Sequence, residues 1–144
     1  MKSENNYKIY QIVNCVDDTL FIGATTGDLK ERLKKYIGAS NKGQMTIHKH
    51  IRELGSNNFS ILLLEETNDI TRKDAWIFAL NTLCPNGLNR VAGKYNTKVD
   101  PLDVAVAIED ANVARMKLRK NNQTLLRKTS ILFDSWIAKS NFYF

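Results

Sequence analysis

The spacing of hydrophobic positions changes several times along the chain, and each change marks an element. Residues 7–14, "YKIYQIVN", alternate apolar and polar positions and favour β structure, which predicts a strand. "CVDDT" is turn-like and "LFIGA" begins a second strand, so a β-hairpin with Asp17–Asp18 in its turn is expected. After Gly27–Asp28, the positions Leu29, Leu33, Tyr36 and Ile37 recur at helical spacing. "GASNKGQ" reads as a loop and "TIHKHIREL" as a second helix ended by Gly55. "FSILLLEE" is a continuous apolar run of strand length, the pattern of a central strand. "ITRKDAWIFALNTL" predicts a third helix with Ile70, Ile77 and Leu80 on one face, followed by the loop "CPNGLNRVAG" and the linker "YNTKVDP". From Leu102 to Lys139 the pattern is helical, with an interruption at Lys120–Asn121–Asn122 that predicts two helices. Leu102, Val106 and Val113 give one apolar face; Leu125, Leu126, Leu132, Phe133, Trp136 and Ile137 give another.

This order predicts an α+β fold, with a domain over residues 1–97 and a helical extension over 98–144. No apolar run reaches the length of a membrane span, so a membrane partner is not expected. The start "MKSENNYK" lacks the apolar core of a signal peptide, which places the expected location in the cytosol or nucleus. Cys15 and Cys84 stand far apart without metal-ligand spacing and read as packed free thiols. The formal net charge is +6, which favours a polyanionic partner, nucleic acid first. That charge is spread evenly: residues 1–97 hold 13 Lys+Arg against 10 Asp+Glu and residues 98–144 hold 8 against 5, so neither part is a dedicated basic tail.

With the elements in that order, the residues resemble the GIY-YIG nuclease superfamily. "KIY" at 8–10 stands at the first tripeptide, with Lys8 for glycine, and "FIG" at 21–23 at the second, with Phe21 for tyrosine. "GATTGDLKERLKKY" matches the family's run into the helix that carries an arginine, here Arg32, with Tyr36 four residues on. "IHKHIRELGSNNFSILLLEE" looks like its amphipathic helix, glycine and strand, and "DAWIFALNTLCPNGLN" like its "WI…LN…GYN" ending, with Asn89 retained. The likeness spans about residues 7–93.

The resemblance implies a small domain with a three-stranded antiparallel sheet flanked by helices. It also implies an endonuclease that hydrolyses DNA phosphodiester bonds with Mg²⁺ or Mn²⁺. On that reading Tyr10 assists deprotonation of the attacking water, while Arg32 and Tyr36, on one helix face, hold the phosphate. Guanidinium suits this because it meets phosphate oxygens as a bidentate fork and keeps its charge. Gly23 and Asn89 are supporting residues, and Phe21 keeps a ring where the family has a phenol.

One position departs sharply. The family's metal-binding glutamate falls on Lys73, three residues before Trp76. A charged lysine has no lone pair to give a metal, so metal binding at this position is unknown. Lys73 shares the face of Ile77 and Leu80 and so should point towards the metal's place; Asp74 is about 100° round the helix from it. Three explanations stay open: a relative that binds DNA without cutting, a rearranged site in which Lys73 neutralises charge, or an inactivating change in a nuclease. Phosphate contacts are expected from Lys34, Lys35, Lys49 and Arg52, and from Arg115, Lys117, Arg119, Lys120, Arg127 and Lys128 in the extension. That extension is otherwise a packing surface for the domain, or for a second copy in a homodimer.

Overall fold

The computed structural model describes residues 6–141, with side chains to residue 132. Strands β1 (Tyr7–Asn14) and β2 (Phe21–Thr25) form the hairpin, followed by α1 (Leu29–Ala39) and α2 (Thr46–Leu54). A single 3₁₀ turn leads into β3 (Phe59–Thr67), then α3 (Thr71–Ala79) and α4 (Pro101–Asn141). Asn14 builds the hairpin turn: its Oδ1 accepts from the Val16 and Asp17 N–H groups, at 2.9 and 2.7 Å, and its Nδ2 donates to Asp17. His50 Nε2, from α2, lies 2.9 Å from Asp17 Oδ2 and ties that helix to the turn.

The sheet is antiparallel in the order β2-β1-β3. β1 is therefore the central strand and β3 an edge strand, which corrects the expectation from its apolar run. β3 is apolar on both sides because α1 and α4 cover opposite faces of it, not because strands flank it. Successive β1 side chains point to opposite faces and feed two cores. Tyr10 and Ile12 join Phe21, Tyr36, Ile47, Ile51, Phe59 and Leu88 under α1 and α2. Ile9 joins Ile22, Ala75, Trp76, Ile77, Val99 and Ala107 under α3 and α4.

The extension is one helix, not two. Asparagine costs a helix interior less than ~1 kcal/mol, and Asn122 spends its side chain across the interface, donating to Asn58 Oδ1 at 2.6 Å. The face of α4 against the sheet is also not the predicted one. Leu102, Val106 and Val113 are exposed, whereas Ala107, Ala111 and Arg115 are buried. Close approach to the sheet selects small side chains and one that hydrogen-bonds, which a search for large apolar residues misses. Gln11 Nε2 donates to the Ala107 carbonyl, and Arg115 and Arg119 Nε donate to the Asn14 and Cys15 carbonyls, at 3.0, 3.2 and 3.1 Å. Leu125, Leu126, Ile131 and Leu132 are exposed. The side chains of Phe133, Trp136 and Ile137 lie outside the described residues.

α3 is shorter than predicted and buries Ala75, Trp76 and Ile77, while Ile70 precedes it and is exposed. Among the described residues, Cys15 and Cys84 are free thiols, and no helix is long and apolar enough to cross a membrane.

Candidate active site

Three side chains from two elements converge where β1 faces α1. Asp28 caps α1 by accepting the Glu31 N–H at 3.1 Å, which sets the helix so that Arg32 and Tyr36, one turn apart, face Tyr10. The Tyr10 and Tyr36 hydroxyls are 2.9 Å apart. Arg32 donates from Nε to Tyr10 Oη and from Nη2 to Tyr36 Oη, both at 3.3 Å, closing a triangle. Its guanidinium carbon also lies 4.8 Å from the centre of the Tyr36 ring, a cation–π contact. Tyr10 is fully buried, Tyr36 nearly so, and Arg32 is half-exposed, so the cation is the member that reaches solvent.

Tyr10 needs the space that Gly23 leaves. The two are paired across β1 and β2, and a Cβ at Gly23 would lie 2.7 Å from Tyr10 Cε1 and closer still to its hydroxyl. Phe21 packs edge-on against Tyr36 with ring centres 5.7 Å apart. His48 brings its ring to 5.8 Å from that of Tyr36.

Burial raises the Tyr10 phenol well above its ordinary value, and the hydrogen bond and charge of Tyr36 push the same way; Arg32 opposes them without prevailing. Tyr10 is thus held as a neutral phenol that orients Arg32 and Tyr36. A phenol harder to ionise in the fold than in the unfolded chain stabilises the fold fully below the unfolded value of ~10. That contribution is lost as pH rises from there through the folded value. Alkaline unfolding monitored alongside tyrosinate absorbance is expected to show one late, unfolding-linked ionisation, absent in Tyr10→Phe. An unchanged titration in that variant would contradict the assignment.

Asn89 stitches the loop after α3 to β2. Its Oδ1 accepts the Ile22 N–H and the Thr82 hydroxyl at 2.9 and 2.8 Å, and its Nδ2 donates to the Ile22 carbonyl at 2.9 Å. The Thr46 hydroxyl donates to the neighbouring Leu88 carbonyl and brings the start of α2 to the same place. Between these elements is a cavity of about 380 Å³ whose wall includes Phe21, Lys73, Asn89 and Arg90. Lys73 therefore does reach the Phe21 side of the site, as its helix face predicts.

These residues do not fit a divalent cation. Position 73 presents an ammonium. Asp74 Oδ1 takes the Gly93 N–H at 2.9 Å, and Glu65 is committed to Arg72 at 2.7 Å and to the Trp76 indole at 3.1 Å. Among the described residues no group of three His, Cys, Asp or Glu side chains is placed to hold a metal.

The other basic residues divide into free and committed. Lys35 and Lys49 are exposed, as are Lys117, Lys120, Arg127 and Lys128 along α4, while Lys34 pairs with Glu31 at 3.4 Å. Arg52 donates to the Ser40 and Gly43 carbonyls at 2.6 and 3.2 Å, holding the end of α1. Arg115 is buried, and its guanidinium serves Asn14 and Asn112, so it is a structural tie and not an open phosphate donor. Its position within "RMKLRK" hid this, since the run reads as one solvated charge cluster. Arg90 escaped notice because nothing in its local sequence places it beside Lys73.

No protein-family model and no curated protein matches the chain. Two solved structures do. One is the catalytic domain of intron endonuclease I-TevI in a form with one glutamate changed to alanine: it shares 24% identity, covers 63% of this chain and 99% of its own, and has a TM-score of 0.52. The other is the catalytic domain of homing endonuclease I-TevI, at 27% identity, 59% and 98% coverage and a TM-score of 0.50. The α+β fold read here, a three-stranded antiparallel sheet with helices on both faces, is the fold of that GIY-YIG homing-endonuclease catalytic domain.

Proposed function

We propose that this chain is a GIY-YIG-type endonuclease domain that grips a DNA phosphodiester and whose hydrolytic step is impaired at Lys73. The observation that carries the reading is the triangle of Tyr10, Tyr36 and Arg32, a fixed cation held by two phenols at the surface of a nuclease fold. Both phenols are spent on orienting the guanidinium, which leaves its remaining N–H groups for phosphate oxygens. Such a donor stabilises the extra negative charge that develops as water attacks phosphorus. Hydrolysis also calls for the anionic ligand that a metal ion requires, and a lysine there removes it. The lysine itself favours a second reading, a DNA-binding module on the same fold that does not cut.

A nicking assay on supercoiled plasmid in Mg²⁺ and Mn²⁺ tests this directly. Lys73→Glu is expected to gain cutting that disappears in Lys73→Glu with Arg32→Ala, while the parent chain stays slow or silent. Arg32-dependent cutting by the parent would show that position 73 impairs nothing. If none of the three cuts although the duplex is still bound, the non-catalytic module is the correct reading.

A further inference from the structure

The cavity behind Phe21 has a charge pattern that the Arg32 triangle does not explain. Lys73 of α3 and Arg90, from the loop just after Asn89, both line it, while no carboxylate does. Among the described residues neither side chain makes a salt bridge or a hydrogen bond. Asp74, the acid next to Lys73, is turned to the Gly93 backbone. Two cations without a carboxylate partner on one concave wall raise its local potential, and an anion bound there offsets it. The rest of the wall mixes polar Gln44 and Thr46 with apolar Met45 and Val91, chemistry suited to a phosphate attached to a sugar and base. Phe21 belongs to both places, lining the cavity and packing edge-on against Tyr36.

We propose that Lys73 and Arg90 form a phosphate clamp that works without a divalent ion, its ligand a nucleic-acid phosphate next to the one held by Arg32. The proposal rests on the phosphodiester site described above and adds a second contact to it. The ammonium that is unfit as a metal ligand supplies positive charge directly, so the clamp needs no ion to bridge it to phosphate.

Fluorescence anisotropy of a labelled short duplex, with the full chain at matched ionic strength in EDTA or Mg²⁺, tests the clamp. Affinity in EDTA is expected to equal or exceed that in Mg²⁺. Lys73→Gln and Arg90→Gln should each weaken binding about three- to tenfold and lower the salt slope by about 1, as loss of one phosphate contact requires. Lys73→Arg should retain affinity, and Lys98→Gln, whose side chain lines a different cavity, should match the parent. Thermal melting of each variant confirms that it is folded. Binding that requires Mg²⁺, or Lys73→Gln and Arg90→Gln variants with the parent's affinity and slope, would overturn the clamp. Competition by inorganic phosphate as effective as unlabelled duplex would assign the site to a free anion and overturn the nucleic-acid part. Arg32→Gln separates the two ideas: weakening there, with Lys73→Gln unchanged, removes the clamp and leaves the phosphodiester site standing. No duplex binding by the parent removes both.

Discussion

Asn89→Leu is expected to lose about 3–5 kcal/mol of stability, from orphaned buried groups that each cost ~1–3 kcal/mol. Leucine keeps the branched outline of asparagine but is larger, so no cavity opens, and overpacking only adds to the main source of the loss. The source is the Ile22 N–H, the Ile22 carbonyl and the Thr82 hydroxyl, all of which lose their partner in a place water does not reach. Urea unfolding with an unchanged denaturant dependence would read the effect as a shift in midpoint alone. Because Ile22 lies between Phe21 and Gly23, the same variant should loosen the floor of the site and weaken duplex binding further than stability alone explains. A loss below ~1 kcal/mol would mean that the three groups find other partners, and Asn89 would then be dispensable as a brace.

The second large effect is expected at Gly23. Alanine there adds one methyl group against the Tyr10 ring, where overpacking costs ~1–3 kcal/mol. The ring has nowhere to retreat, since Tyr10 is fully buried and its hydroxyl is held by Tyr36 and Arg32. The predicted signature is therefore a modest fall in melting temperature with a disproportionate loss of Arg32-dependent binding. Adding Tyr10→Phe removes the hydroxyl, the atom nearest the new methyl, so the stability losses of the two changes should be clearly less than additive. Strict additivity, or a Gly23→Ala protein with the parent's melting temperature and duplex affinity, would show that the contact tolerates a Cβ.

Much of this was legible from residues alone, for local reasons. α2 runs over "TIHKHIREL", as the apolar spacing and the terminating Gly55 indicate. Arg32 and Tyr36 meet because four residues make one helical turn, and Tyr10 meets them because strand alternation sends it to the α1 side. What stayed hidden depends on tertiary neighbours. The rank of β3 in the sheet is not legible, because helices on both faces give the same apolar run as flanking strands. The buried face of α4 is not legible either, because alanine and arginine carry it. Lys73 and Arg90 share a cavity only after the loop around Asn89 folds back on β2, and no periodicity encodes that return.

α4 runs for 41 residues without a break, which at ~1.5 Å per residue is roughly 60 Å of axis. Its last described hydrogen bond to the sheet side of the molecule is at Asn122, and the helix continues from there to Asn141. Just beyond that bond Leu125, Leu126 and Thr129 still line a hollow with Gly55–Asn58. One residue inserted or removed along the helix past them would turn the far end by about 100° and move it by ~1.5 Å, whatever the side chains there. The helix therefore sets two coordinates at once, the distance from the Arg32 site and the angular phase, for anything that engages its distal turns.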